Sequence, residues 1–240
     1  RRNEAQGYSS TLAVLGEELR DEGEVEAVVQ EYCATLQSLQ ANELPCGLSI
    51  KATHLGLRIS REVALASFQR IAEAAKPSDT FIRLDMEDST TTTDILWLYR
   101  KLREDYARCG IVLQAMLRRT ELDIHDLLTL PDPPDVRICK GIYAEPGSRA
   151  YLDPNQVRQN FARSVMVLLT RGARVGVATH DGALIHELFS RIPGIPNVEG
   201  RYELQTLLGV PIHGVMQALR AKGHRVRVYI PYGPDWYAYS

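Results

Sequence analysis

Apolar positions along the chain fall in two alternating patterns. Short clusters at residues 9–15, 47–53, 81–86, 111–116, 136–142, 175–179, 197–203 and 226–230 read as β-strands. Between them, apolar residues recur at helical spacing. In 24–39 they are Val25, Val28, Val29, Tyr32, Leu36 and Leu39, and 62–75, 93–107, 156–170 and 204–221 behave the same way. A shorter amphipathic stretch covers 183–189. Asp94 follows a threonine run and is placed to help cap its helix. Gly172 and Gly223 stand just past helix ends, where a left-handed residue is usual. Eight strands alternating with helices predict a parallel sheet, because each crossover needs a helix. At 240 residues the expected closure is a (β/α)8 barrel of the TIM type, and an open doubly wound sheet is the alternative.

Composition narrows the function. Apolar residues make up 45% and charged residues 24%, which is ordinary for a globular domain. A net charge of −2 offers no basic face for nucleic acid. No apolar run approaches the about 20 residues that cross a bilayer. No stretch of these residues reads as a signal peptide, and none is expected. The opening RRNEAQ is polar and reads as the end of a longer helix. Cys33, Cys46, Cys109 and Cys139 form no CxxC pair, and no histidine pair has zinc-ligand spacing, so free thiols in a cytosolic protein are expected. The chain has no GxGxxG after a strand, no phosphate-binding GxxxxGK[ST] and no GxSxG nucleophile elbow.

In a barrel, function gathers at the C-terminal strand ends and the loops that follow. Lys51 sits among apolar residues, sharing a face with Ser49 and Thr53 by alternation; an ammonium there asks for an anion, such as a substrate carboxylate. Asp85, Glu87 and Asp88 crowd the third strand end. They suit helix capping and arginine pairing, and no second acidic set nearby completes a metal site. Gln114 offers a donor and an acceptor inside an apolar strand, as the edge of a heterocycle would need. Arg137, Cys139 and Gly141 share one face of the fifth strand, with Tyr143 at its rim. A guanidinium in that position has a fixed partner, and a glycine lets another group approach the backbone. The Thr179-His180-Asp181-Gly182 turn before a helix can present N–H groups to a phosphate, or His180 can act as a general base. Last comes a strand running into a turn with Tyr229, Tyr232 and Tyr239.

Taken together, eight segments resemble the flavin-dependent proline dehydrogenase family. They are LGE at 15–17, SIKAT at 49–53, RLDMED at 83–88, LQAMLRRT at 113–120, RICKGIY at 137–143, ATHD at 178–181, YELQTLLGV at 202–210 and VRVYIPYGPDWYAYS at 226–240. Each alone is weak; eight in order over nearly the whole chain are specific. The resemblance implies a distorted (β/α)8 barrel over 1–240 that forms one catalytic domain and lacks the family's N-terminal helices and final helix. It implies noncovalent FAD, oxidation of L-proline to Δ1-pyrroline-5-carboxylate and transfer of the electrons to a quinone. Residue by residue, it implies that Lys51 pairs with the proline carboxylate and that Asp85 holds that lysine. Tyr143 and Tyr229 would line the pocket, and Tyr239 would pack on the proline ring. Arg137 and Gln114 would bond the isoalloxazine edge, Arg137 near N5, with the backbone of Lys140, Gly141 and Ile142 against the flavin. Thr179 and His180 would hold phosphates or the ribityl chain, and Met86 and Leu207 would make lesser flavin contacts. No metal is implied. The expected location is the cytoplasm, and any membrane contact would be peripheral, at the inner face, to reach a quinone.

The sequence also departs from that pattern. Family members continue past the last tyrosine into a helix with two adjacent arginines that complete the carboxylate clamp, and this sequence ends at Ser240. Glu17 is a candidate gate partner for one of those arginines. The 152–155 loop lacks a basic residue that some relatives place near the pyrophosphate, and Ala144 is small where some carry an aromatic. Two other classes stay open on residues alone: a lyase or aldolase barrel forming a Schiff base on Lys51, and a non-catalytic small-molecule-binding barrel.

Overall fold

The computed structural model describes residues 2–16 and 18–233, the side chain of Arg2 excepted. Eight strands follow one another around a closed barrel in sequence order: β1 (Ser9–Val14), β2 (Cys46–Ile50), β3 (Ile82–Leu84), β4 (Cys109–Gln114), β5 (Asp135–Cys139), β6 (Arg174–Ala178), β7 (Tyr202–Leu207) and β8 (Val226–Tyr232). The registered pairs β1–β2, β2–β3, β3–β4, β5–β6 and β6–β7 are all parallel. The described helices are α1 (Arg2–Ala5), α2 (Glu22–Ala41), α3 (Arg61–Ala75), α4 (Thr92–Asp105), α5 (Thr120–Leu127), α6 (Pro154–Thr170), α7 (Gly182–Arg191) and α8 (His213–Ala221). This is the (β/α)8 architecture expected from the alternation, and the open sheet is excluded.

The chain divides into two compact units, Arg1–Ile111 with Tyr229–Ser240, and Val112–Val228. In the first, α2 packs on α3 and α3 on α4. Tyr32, Leu36, Phe68, Ile71, Ile95 and Tyr99 are buried from those helices, against Leu48, Ile50, Ile82 and Leu84 of the strands. In the second, α6 packs on β5 and β6, with Phe161, Val165, Leu168 and Leu169 buried alongside Ile138 and Val177. Each such side chain taken fully from water contributes ~1.5–3 kcal/mol. Helix starts are set by local chemistry. Asp21 accepts from Gly23 and Glu24 N–H, Ser60 from Val63 N–H and Asp153 from Asn155 N–H, with Pro154 opening α6. Asp94 lies in the first turn of α4, although Thr91 holds the cap position. Gly172 and Gly223 have φ of +90° and +82° just past α6 and α8.

Several expected boundaries change. Residues 204–207 are strand, not the start of a helix, and the seventh strand is Tyr202–Leu207 rather than 197–203. The polar residues Glu203 and Gln205, both buried, gave this strand a mixed pattern that imitates helical amphipathicity. β2 ends at Ile50, so strand alternation does not reach Thr53, which lies in a 3-10 turn. β3 and β5 stop at Leu84 and Cys139, which places Asp85, Met86, Lys140, Gly141 and Ile142 in the following loops. α5 arises where no helix was expected. The position of Tyr239 in the last turn, and that of Glu17, lie outside the described residues.

Candidate active site

In the first unit, the polar groups at the strand ends converge on two acids. Asp85, 8% exposed, accepts a hydrogen bond from Ser49 Oγ at 2.6 Å and another from Tyr229 OH at 3.1 Å. Its backbone N–H donates to Ile50 O at 2.9 Å. One carboxylate thus ties β2, β3 and β8 together, one residue from Lys51. Lys51 is half-buried, and its carbonyl accepts from His54 N–H at 3.2 Å. Met86 is buried at 6% exposure. Glu87, 1% exposed, accepts from the backbone N–H of Thr53 at 3.0 Å and also from its hydroxyl. Thr53 Oγ1 accepts in turn from Glu18 N–H at 3.0 Å, which pins the loop after β1. Asp88 takes the expected arginine-pairing role, accepting from Arg58 Nη2 at 2.6 Å, but it does not cap α4: its bond from Thr90 N–H at 2.8 Å lies ahead of the helix, whose cap residue Thr91 makes no side-chain cap bond. Burial, with the Asp85, Glu31 and Glu87 charges behind it, pushes the phenol of Tyr32 well above its usual pKa.

In the second unit, the loops after β4 and β5 are laced together. Ala115 N–H donates to Cys139 O at 2.8 Å, Met116 N–H to Lys140 O at 2.9 Å and Tyr151 N–H to Met116 O at 2.8 Å. Asn160 of α6 donates to Ala115 O at 2.7 Å. Met116, Leu117 and Ala150 form a small core on which Tyr143 and Val157 pack. Gly141 adopts φ +102°, and a Cβ there would meet Met116 Cγ and Sδ at 2.5 Å, so glycine is required at this turn. Gln114 is buried at 2% exposure, with its carbonyl taken by Thr120 Oγ1 at 2.5 Å. Arg137, 7% exposed, donates from Nε to Gln205 Oε1 at 2.6 Å. The Ile142 side chain is 87% exposed, so its backbone rather than its side chain is placed near this turn.

The β6 end carries charge. Asp181 caps α7 by accepting from Leu184 N–H at 3.1 Å, and it accepts from Lys140 Nζ at 2.8 Å and Arg158 Nη2 at 2.5 Å. Burial alone would raise its pKa; the bonds from Lys140, the Leu184 backbone and Arg158 outweigh that and hold it at about 2. Thr179 Oγ1 accepts from Asp181 N–H at 3.2 Å. The turn therefore uses the Asp181 N–H internally and takes up the Leu184 N–H of α7, and the positive field there comes from two cations around one anion. His180 stands at the strand end, and its Nε2 accepts from Leu207 N–H at 3.1 Å. That assigns the proton to Nδ1, and partial burial lowers its pKa. With Nε2 engaged, the general-base reading of His180 loses its basic atom, while Nδ1–H remains a donor.

Sequence reasoning gave no role to Gln205, Glu203, Glu87 or Arg158. Gln205 was hidden by the helix expected at 204–221, and Glu203 closed the strand expected at 197–203; Arg158 sits on a helix face with nothing local to distinguish it. Among the described residues, no group of three or more His, Cys, Asp or Glu is placed to hold a metal.

Comparison with known proteins agrees with this geometry. The family described as proline dehydrogenase matches residues 1–236. Proline dehydrogenase 1 of Bacillus subtilis (strain 168) is 32% identical over 233 residues, covering 97% of this chain and 76% of the relative. The proline dehydrogenase of Deinococcus radiodurans is 33% identical over 242 residues, covering 98% of this chain and 77% of the relative. In fold, the crystal structure of proline utilization A from Bdellovibrio bacteriovorus inactivated by N-propargylglycine superposes with a TM-score of 0.85 at 20% identity. That match covers 97% of this chain but only 29% of the larger protein. A family match over residues 1–236, with relatives about a third identical across nearly the whole chain, settles the lineage: the chain belongs to the proline dehydrogenase family.

Proposed function

We propose that the chain is a single catalytic barrel that oxidises L-proline to Δ1-pyrroline-5-carboxylate, with FAD as hydride acceptor and a quinone as the electron sink. The observation that carries this is the Asp85 carboxylate locked between Ser49 and Tyr229 at the end of β3, one residue across from Lys51. A rigid anion beside a half-buried lysine orients an ammonium for a substrate carboxylate. Tyr229, bonded to Asp85, supplies an aromatic wall that selects a small ring, and Tyr239 is the proposed second.

The second unit fits FAD by its donor set. Gln114, Arg137, Lys140, Thr179 and His180 all offer N–H or O–H groups, matching an acceptor-rich ring and its anionic tail. The loop at 152–155 has no basic residue, but Arg158, one turn into α6, brings a guanidinium to the β6 end beside Lys140. These two would hold the pyrophosphate. The backbone of Lys140, Gly141 and Ile142 and the side chain of Leu207 would border the ring. FAD, when bound, supplies the acceptor for the hydride leaving the carbon next to nitrogen. The protein's part is to hold that carbon in place, keep the amine uncharged and exclude water. A cytoplasmic location with peripheral contact to a quinone-bearing membrane accompanies this reading; no described helix is long and apolar enough to cross one.

The test is the visible spectrum of the full-length protein reconstituted with FAD, followed by anaerobic L-proline. A flavin band that bleaches with proline supports the whole reading, and Lys51→Met should then raise KM far more than it lowers the bound-flavin content. A band that stays oxidised moves the substrate away from proline. No retained flavin overturns the cofactor and the reaction together.

A further inference from the structure

A buried line of hydrogen bonds in the second unit ends on Arg137, and its other members have no part in the reaction as described so far. Arg137 Nε donates to Gln205 Oε1 at 2.6 Å, and Gln205 Nε2 donates to Glu203 Oε1 at 2.7 Å. Arg227 donates to Glu203 from Nε at 2.6 Å and from Nη2 at 3.3 Å, and Arg225 Nη2 stands 3.8 Å from Oε2. Arg137, Gln205 and Glu203 are 7%, 4% and 9% exposed. The line crosses a strand. β6 lies between β5 and β7, and its Gly176 is paired with both Arg137 and Glu203. A Cβ at Gly176 would sit 2.5 Å from Gln205 Nε2 and 2.7 Å from its Cδ. Only the missing side chain at Gly176 lets the Gln205 amide pass over β6 to reach Arg137.

The line has a fixed polarity. Burial would raise the Glu203 pKa, but the charge and hydrogen bond of Arg227, the Gln205 amide and the Arg225 charge outweigh it and keep the carboxyl ionised. An ionised carboxylate only accepts, so Gln205 must turn its NH2 to Glu203 and its oxygen to Arg137. An acceptor on Nε fixes the roll of the planar guanidinium, and with it the direction of both Nη groups. Burial among these partners makes a different orientation expensive.

We propose that Gln205 and Glu203 are positioning residues for Arg137, setting the plane in which its guanidinium meets the flavin edge, with Gly176 as the opening that permits the contact. This rests on the reading of Arg137 as a flavin-edge residue. A cation held in one plane at that edge favours the electron-rich reduced ring more than a cation free to roll. Gln205→Met, close in size but without the amide, should therefore bind FAD yet lower its midpoint potential. It should also slow flavin reduction at saturating proline by about tenfold or more, with KM changed by less than about twofold.

The experiment compares full-length wild type, Gln205→Met, Glu203→Gln, Gly176→Ala, Arg137→Met and the Arg137→Met/Gln205→Met double variant. Measured for each are FAD affinity, melting temperature, midpoint potential and the rate of flavin reduction. The expected result is strong non-additivity: once Arg137 is gone, Gln205→Met costs no further rate or potential. Glu203→Gln, which leaves the 205 amide free to flip, should give a smaller change of the same sign and serves if Gln205→Met does not fold. A loss of melting temperature with unchanged potential and rate in the flavin-loaded fraction would overturn the proposal, as would additive effects in the double variant. If wild type binds FAD but proline does not reduce it, the reaction reading falls and the potentials still decide the positioning role. If wild type binds no flavin, both fall.

Discussion

Gly141→Ala is the most direct test of how the β5 loop is built. Gly141 has φ +102°, and an added Cβ would lie 2.5 Å from Met116 Cγ and Sδ and 2.8 Å from Cε. Carbon atoms in contact rest ~3.5–4.0 Å apart, so one side must retreat by about 1 Å. Methionine can change rotamer, but Met116 is 8% exposed and packed with Leu117, Ala150 and Tyr143. Its N–H is also bonded to Lys140 O at 2.9 Å, so the two crowded residues are tied to each other. A side chain held at that φ costs ~1–3 kcal/mol, and overpacking a filled cluster adds ~1–3 kcal/mol. Allowing for partial relaxation, we expect a loss of about 2–4 kcal/mol, or a melting temperature lower by about 4–16 °C for a chain of this size. The displacement falls on Lys140 and Gly141, so FAD affinity should drop by about tenfold or more. Thermal melts with and without FAD, and flavin titration by fluorescence quenching, measure both. Adding Met116→Ala should return the overlap share of the loss but not the backbone share, after correction for the cavity that Met116→Ala creates alone. A Gly141→Ala protein with wild-type melting and wild-type FAD affinity would refute this account of the turn.

The remaining expectations concern the two acids. Asp85→Ala removes at least two side-chain hydrogen bonds, from Ser49 and from Tyr229, and Tyr229→Phe removes one of them. Denaturant titration should show the first losing at least twice the ~1 kcal/mol of the second, and equal losses would contradict the bridging role. Asp181 has its pKa held at about 2, below the ordinary value of 3.8, so its contribution is complete above that value and is lost as pH falls toward 2. Lys140 and Arg158 are 39% and 43% exposed, and solvent screening cuts the contribution to ~1–2 kcal/mol. Asp181→Asn should flatten the stability profile between about pH 4 and pH 2; a variant with an unchanged acid profile would show that the triad is not coupled to folding.

The barrel was legible because its rule is local. A strand in a parallel barrel is a short apolar run, each crossover is an amphipathic helix, and both patterns can be counted along the chain. Boundaries failed where the barrel interior is polar. In β7, Glu203 and Gln205 stand at strand spacing, but each is buried through partners far away in sequence, and the alternation was masked. Arg137, Asp85, Lys51 and Gln114 were visible as polar residues stranded among apolar ones. Glu87 was visible in composition, but its attachment to Thr53, 34 residues away, was not.

By itself, the sequence determined the eightfold alternation, the family and the residue types gathered at the strand ends, because each of these is written in spacing and motif. The tertiary structure alone decided which donors meet which acceptors. It put Asp85 between Ser49 and Tyr229, turned His180 Nε2 to the Leu207 amide and brought Arg158 from a helix face to Asp181. It also carried Gln205 across Gly176 to Arg137. The physical reason is that hydrogen bonds depend on direction within a few tenths of an ångström, and closure of the chain sets those directions between residues that share no local pattern.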